Sequence, residues 1–229
     1  MSNYASPAAY AASKALAAQD LSVQRSHLIE VIAALLGYRT YAALATEEAD
    51  TNRTYYLEDA EILVLNKVMG EERVTELGLN SMVIIACIDA IKACAKGVSV
   101  YVGVSDLYDS HARQALAEVI YSDDDVAGAM AESNASYTNE PYMADECLPT
   151  ADLWAAIDEW IIEADGVMEG EYDPEGDRIY NGHVMNCRGR LVYGKAGRAG
   201  LVFLDARGSA GADDSWRDED LDEAGYWLL

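Results

Sequence analysis

The chain has 229 residues, with 40 Asp and Glu against 16 Lys and Arg, so its formal net charge is −24. Hydrophobic residues make up 51% of it, which indicates a folded protein rather than an acidic disordered segment. This charge argues against direct binding of DNA or RNA, because phosphate binding needs a basic surface. It argues equally against adsorption to an anionic membrane.

The acid is unevenly distributed along the chain. Residues 1–46 carry a net charge of +1, residues 47–150 carry −14 and residues 151–229 carry −11. We expect a helical module over 1–46, an acidic and mainly helical region with one buried strand over 47–150, and a helix with β-hairpins and an acidic tail over 151–229. This predicts an α+β protein with a helical N-terminal half and a small, antiparallel, β-rich C-terminal part.

Helical patterns begin near the N-terminus. Pro7 suits a first helical turn, and Ala8 to Ala18 has strong helix propensity. Apolar residues then recur at helical spacing from Leu28 to Leu36, and Gly37 fits the left-handed position that ends a helix. A third, short helical turn is expected from Tyr41.

The stretch from Lys14 to Ala45 resembles the small helical segment of bacterial proteins described as glyoxalase-related. The residues that carry the resemblance are Leu21-Ser22, Ser26-His27, Leu36-Gly37-Tyr38, Tyr41 and Leu44. The resemblance covers about 32 residues. It implies a helical module and a bacterial or mobile-element source, and it transfers no catalytic residue and no metal site.

The middle of the chain is predicted from its apolar spacing. Residues 47–80 are expected to be helical, with Leu57, Ile62, Leu65 and Val68 facing inward, and the apolar run from Met82 to Ala95 predicts a buried helix. Residues 98–104 are rich in β-branched side chains and predict a buried strand. A loop over 105–110 and a helix over 111–121 follow, and the polar residues 122–150 are expected to be irregular and to form a domain boundary.

The last third is predicted to change from a helix to hairpins. An amphipathic helix is expected over 152–162, with an inward face made of Leu153, Trp154, Ile157, Trp160 and Ile161. Two hairpins are predicted next, one turning at residues 173–177 and the other at the glycine-rich residues 194–200.

One candidate catalytic site lies in the loop between the predicted strand and the following helix. Sites in α/β structures favour this position, and Asp106 or Asp109 could orient His111 as a general base. The alternative is that Asp109 or Ser110 caps the helix and that His111 is solvated.

A basic stretch stands out in the acidic part of the chain. Arg188, Arg190, Lys195 and Arg198 could form a patch that binds an anion or a partner. The alternative is that the cations of this stretch pair with neighbouring acids. His183 and Cys187 could supply two zinc ligands but lack a second pair, so we expect neither a metal nor a cofactor.

The excess acid leaves two classes of function open. The first is an interaction or inhibitor protein, including nucleic-acid mimics, whose carboxylates bind a basic nucleic-acid-processing or defence protein. The second is a small enzyme that uses the Ser105–His111 loop, and solubility alone is the simpler account of the charge. The expected acidic interaction surface consists of Asp123, Asp124, Asp125, Asp218, Glu219 and Asp220.

The cysteines and the N-terminus bear on location. Cys87 and Cys94 lie in an apolar stretch, seven residues apart on one predicted helix, about 10 Å at 1.5 Å per residue. That is too far for a disulfide, so free thiols and a reducing cytoplasm are expected. The N-terminus lacks the pattern of a signal peptide, and self-association into a homo-oligomer is left open.

Overall fold

The computed structural model describes residues 4–149, 151–172, 175 and 183–213. The chain divides into two compact units that are discontinuous in sequence. Unit 1 holds the described residues of Met1–Asp109, Pro149–Ile161 and Val192–Leu204, and unit 2 holds those of Ser110–Leu148, Ile162–Leu191 and Asp205–Leu229. The division into consecutive segments at residues 46 and 150 stays a prediction.

Helices occur in both units. The helices of unit 1 are α1 (Ala5–Ala17), α2 (Arg25–Leu35), α3 (Tyr41–Glu48), α4 (Lys67–Glu76), α5 (Met82–Cys94) and α6 (Val104–Leu107). A 3-10 turn spans Leu57–Asp59, and a π-helical turn follows α6 at Tyr108–Ala112. Unit 2 contains α7 (Arg113–Ser122) and α8 (Asp124–Glu132). Within the described ranges, no helix is long and apolar enough to span a bilayer.

Strands accompany the helices, which confirms the α+β class. They are β1 (Ile62–Leu65), β2 (Ser99–Val102), β3 (Ala135–Ser136), β4 (Tyr142–Met143), β5 (Leu148–Pro149), β6 (Glu159–Glu169), β7 (Glu171–Tyr172), β8 (Val184–Ala196) and β9 (Gly200–Ala212). Residues of β6, β8 and β9 belong to both units. The predicted helical N-terminal half is seen only in part, because it contains β1 and β2.

The sheet of unit 1 runs in the order β2-β1-β9-β8-β6. β1 pairs in parallel with β2, where Ile62 lies opposite Ser99, and antiparallel with β9, where Ile62 lies opposite Leu201. The helix predicted over 47–80 is therefore wrong at this point. All four residues of β1 are buried, as expected for an uninterrupted apolar run in a strand covered on both faces.

The helices of unit 1 bury small side chains against one another. In α1 the residues Ala5, Ala8, Ala9, Ala12 and Leu16 are at most 2% exposed and follow helical spacing. This face packs on α5 and α2, and α2 packs on α4. Alanine lets the helix axes approach closely. The predicted first, second and third helices are confirmed as α1, α2 and α3.

Glycines bring α7 close to the strands of unit 2. A Cβ at Gly208 of β9 would stand 2.6 Å from Ile120 Cα, and one at Gly189 of β8 would stand 2.9 Å from Leu116 Cδ2. The helix therefore packs directly on the strand backbones. The strands of this unit follow the order β9-β8-β6-β4, and β3 pairs separately with β7.

The helix predicted over 152–162 is wrong. Turns occupy residues 153–155, and β6 begins at Glu159. Trp160 and Ile162 are buried with period two, whereas Ile157, which was expected inside, is 74% exposed. Alternation of buried and exposed side chains is the pattern of a strand rather than of a helix.

Two further expectations meet different outcomes. Residues 122–150 are not irregular throughout, since they include α8 and three two-residue strands. The hairpin with its turn near 194–200 is confirmed, because β8 and β9 flank a turn at 197–199. For the other hairpin, Gly170 N–H donates to His183 O at 2.7 Å, and most of its turn lies outside the described residues.

Candidate functional site

Most of the charged side chains in the described part of unit 2 are acidic. Its described residues include 15 Asp and Glu but only four Lys and Arg. Each of the four arginines already has a carboxylate of the same unit within 4 Å: Arg113 with Asp145, Arg188 with Asp165, Arg190 with Glu163 and Arg207 with Asp205. Among the described residues of unit 2, every arginine is thus already paired with a carboxylate, and the acids remain in excess.

Two members of the predicted basic patch belong to these pairs. Arg188 Nε lies 2.6 Å from Asp165 Oδ1, and Arg190 Nε lies 3.6 Å from Glu163 Oε1. The hydrogen bond from Arg188 lowers the pKa of Asp165, and the same bond raises the pKa of Arg188. The carboxylates that follow one another along the outer face of β6 are thus partly neutralised by β8, as the alternative interpretation expects.

The acidic run after α7 has two roles. Asp123 accepts hydrogen bonds from Asp125 N–H at 2.9 Å and from Gly208 N–H at 3.0 Å, so it caps α8 and fastens it to β9. Asp124 and Asp125 stand exposed in the first turn of α8. Of these three described aspartates, Asp123 is the one that is not fully exposed. Asp218, Glu219 and Asp220 lie outside the described residues.

The other two members of the predicted patch lie in unit 1, around Glu47. Tyr38 Oη donates to Glu47 Oε1 at 2.9 Å, and Arg53 Nη1 lies 2.7 Å from the same oxygen. Arg198 Nε lies 3.6 Å from Glu47 Oε2. Burial is the main cause that raises the pKa of Tyr38, and the charge of Glu47 raises this pKa further. A single carboxylate thus organises two guanidinium groups and a phenol.

Lys195 is buried next to this cluster. It is 3% exposed, and its Nζ donates to Arg198 O at 2.7 Å. Its pKa is lowered to about 7, and burial is the main cause. The charges of Glu47 and Asp152 oppose this shift, whereas the charge of Arg53 adds to it. An amine held this way is largely neutral just above pH 7, where it can act as a nucleophile or a base.

A cavity of about 540 Å³ in unit 1 is lined in part by Lys195. Three acidic residues, Asp50, Asp158 and Glu159, also line it. Gly194 lets the Tyr55 ring form another part of the wall, because a Cβ there would stand 2.8 Å from Tyr55 Cε2. The cavity combines a buried amine, acids and an aromatic face.

The loop predicted at the candidate catalytic site is wrong, because α6 and the π-helical turn that follows it occupy these residues. This segment begins in unit 1 and ends in unit 2. Asp106 Oδ2 accepts a hydrogen bond from Val102 N–H at 2.7 Å, so this carboxylate closes the end of β2. Asp109 and His111 lie in the π-helical turn Tyr108–Ala112, with Asp109 in unit 1 and His111 in unit 2. Their catalytic role stays a prediction.

Sequence reasoning missed Glu47, Arg53 and the cavity. No local motif marks them, because Tyr38 and Glu47 are nine residues apart whereas Arg198 is 160 residues from Tyr38. The one usable signal was the glycine-rich turn with two cations, which led to Lys195 and Arg198 but not to their partners.

Metal-binding groups and relatives add no further assignment. Among the residues that the structure describes, no group of three or more His, Cys, Asp or Glu side chains is placed to hold a metal ion. A scan against protein-family models and searches of curated proteins and solved structures found no match. The resemblance of residues 14–45 to glyoxalase-related proteins stays a prediction.

Proposed function

We propose that this protein is an interaction or inhibitor protein that binds a basic partner through the carboxylates of unit 2. The observation that carries the proposal is that all four arginines in the described part of unit 2 are paired inside the unit. The remaining acid gives unit 2 a negative potential that attracts a cationic surface and raises the rate of encounter.

The partner class that we favour is a basic nucleic-acid-processing or defence protein, for which exposed carboxylates replace phosphates. Asp124 and Asp125 support this role because they stand exposed at the start of a rigid helix. The row along β6 supports it less, since Arg188 and Arg190 neutralise two of its acids. A bacterial or mobile-element source, implied by the resemblance of residues 14–45, agrees with this class by association. The free thiols of Cys87 and Cys187 suit a reducing cytoplasm.

The test compares two variants with the same change in net charge. The first neutralises exposed acids of unit 2, and the second neutralises exposed acids of unit 1 as a matched control. The first variant is Asp124→Asn, Asp125→Asn, Glu132→Gln; the second is Glu71→Gln, Glu72→Gln, Asp89→Asn. The probe is a purified basic DNA-binding protein, with binding measured by calorimetry from 50 to 500 mM NaCl and by competition with duplex DNA.

The expected result is binding that weakens with salt, competes with DNA and is lost selectively in the first variant. At roughly 0.5 kcal/mol for each exposed charge, three neutralised acids reduce affinity about tenfold. The control variant should stay within about twofold of the wild type. Equal losses in both variants would show that net charge alone acts, which is the solubility account, and salt-insensitive binding would remove the electrostatic basis.

A second candidate function is enzymatic and uses Ser105–His111. The observation that favours it is the π-helical turn at Tyr108–Ala112, because such turns are rare and occur often at functional sites. Screening ester and phosphate-ester hydrolysis tests it, with His111→Ala as the variant and His27→Ala as the control. Activity lost only in His111→Ala supports the candidate, and activity equal in both variants contradicts it.

A further inference from the structure

The cavity beside Lys195 is separate in chemistry from the acidic surface of unit 2. It lies within unit 1, and it is lined by a lysine whose side chain is almost fully buried. Lysine is among the side chains least often buried unless it is paired with an acid. Lys195 Nζ donates a hydrogen bond to the neutral carbonyl oxygen of Arg198. A neutral amine that donates one N–H there keeps its nitrogen lone pair.

We propose that this cavity binds small, uncharged, hydroxylated aldehydes and that Lys195 Nζ forms an imine with the aldehyde carbon. The amine lone pair attacks the carbonyl carbon, and the carbonyl oxygen takes up a proton to give a carbinolamine. Expulsion of this oxygen as water, which carries away both amine protons, leaves the C=N bond. The step needs no oxidant and no reductant.

The charge of the cavity selects an uncharged ligand. Three of the lining residues, Asp50, Asp158 and Glu159, are acidic. The guanidinium of Arg53, which also lines the cavity, lies 2.7 Å from Glu47 and is therefore already engaged. A carbonyl compound that carries a carboxylate or a phosphate would be repelled by these acidic residues and would find no dedicated cation among the lining residues. The cavity therefore disfavours anions.

The remaining lining suits a hydroxylated carbon chain. Asn52 and Thr54 offer an amide and a hydroxyl that can donate and accept hydrogen bonds to ligand hydroxyls. Ile157, Leu204 and the Tyr55 ring supply apolar area for the C–H side of the same ligand. This combination of few polar groups and apolar wall is typical of small-molecule sites.

Burial supports the reactivity of Lys195. Its pKa of about 7 makes about half of the amine neutral at pH 7, which exceeds the neutral fraction of an ordinary lysine roughly a thousandfold. The charged groups around Nζ are Glu47, Arg53 and Asp152. Their opposing effects leave burial as the main cause.

The test is reductive trapping on the wild-type protein. Glycolaldehyde is the uncharged hydroxylated probe, and glyoxylate is an anionic aldehyde of similar size. Each is added with cyanoborohydride at pH 7.4, and peptide mapping by mass spectrometry measures the adduct at every lysine. The chain has five lysines, so four serve as internal references: Lys14, Lys67, Lys92 and Lys96.

With glycolaldehyde, Lys195 should carry at least about tenfold more adduct than the mean of the references, after allowance for its restricted access. With glyoxylate this preference should disappear. Labelling of Lys195 at or below the references overturns the proposed imine. A preference that is equally large with glyoxylate overturns the uncharged ligand class. Lys195→Met should remove the preferred adduct, and Lys67→Met should retain it.

Discussion

Replacing Lys195 by methionine should make the protein more stable at low pH than at high pH, relative to the wild type. In the wild type, folding transfers this lysine from an unfolded pKa of 10.5 to a folded pKa of about 7. The unfolded state therefore binds more protons between these values, and stability rises with pH across that window. Below pH 7 the full cost of burying the charge is present, and above pH 10.5 it has vanished. Methionine has a similar length and carries no charge at any pH.

The magnitude follows from the two pKa values. The pH dependence of folding that follows from these pKa values gives a cost of burying Lys195 of roughly 4–5 kcal/mol at pH 6.5 and roughly 1–2 kcal/mol at pH 9.5. The difference in unfolding free energy between variant and wild type should therefore shrink by about 3 kcal/mol from pH 6.5 to pH 9.5. Loss of the hydrogen bond from Nζ to Arg198 O lowers the variant's stability by about 1 kcal/mol at both pH values and leaves that difference unchanged.

Urea unfolding of wild type and variant at several pH values measures this difference. Other titrating groups cancel because both proteins share them. Lys67→Met is the matched control, since that side chain is 54% exposed, and its effect should not vary with pH. A pH-independent difference for Lys195→Met would refute the reasoning, because it would show that the buried amine keeps the same charge as in the unfolded chain.

Two further predictions concern stability. Asp123→Ala removes the acceptor of two backbone N–H groups and should lower the unfolding free energy by about 1–2 kcal/mol. The control Asp124→Ala should lower it by about 0.5 kcal/mol. Urea unfolding measures both variants, and equal losses of stability would contradict the capping role of Asp123. Gly37→Ala should cost about 3 kcal/mol because φ is +85° and a Cβ would stand 2.9 Å from Trp154 Cδ1. Gly78→Ala is the control, because Gly78 also has a positive φ but has open space around it, and this variant should lose about 1 kcal/mol of stability. If both variants lower the melting temperature by a similar amount, the predicted clash between a Cβ at Gly37 and Trp154 is contradicted.

Local signals in the sequence predicted the elements whose pattern is complete within a few residues. Gly37 ends a helix with φ of +85°, as its position suggests, and the alanine face of α1 follows helical spacing. The glycine-rich turn between β8 and β9 was also predictable, because Gly197 takes the left-handed conformation there. In these places local propensity and tertiary structure agree.

The errors came from segments whose state depends on distant partners. The four apolar residues of β1 fit a helix or a strand equally well until β2 and β9 supply its hydrogen bonds. The apolar run Trp160, Ile161 and Ile162 likewise fits either state, and its burial alternates because β6 is paired within the sheet. The cluster around Glu47 assembles from three separate stretches, so no spacing rule could have found it.

The hydrogen bond from Val102 N–H to Asp106 has a consequence for solubility. β2 lies at the end of the strand order, so the backbone groups on its outer side could template another chain. Gly103 N–H turns inward to Leu65 O, while Val98 N–H donates to Ala95 O and Val102 N–H donates to Asp106. Both ends of the strand's outer side are therefore occupied by the chain itself. Asp106, a candidate catalytic residue, thus also protects the edge of β2 against pairing with another chain.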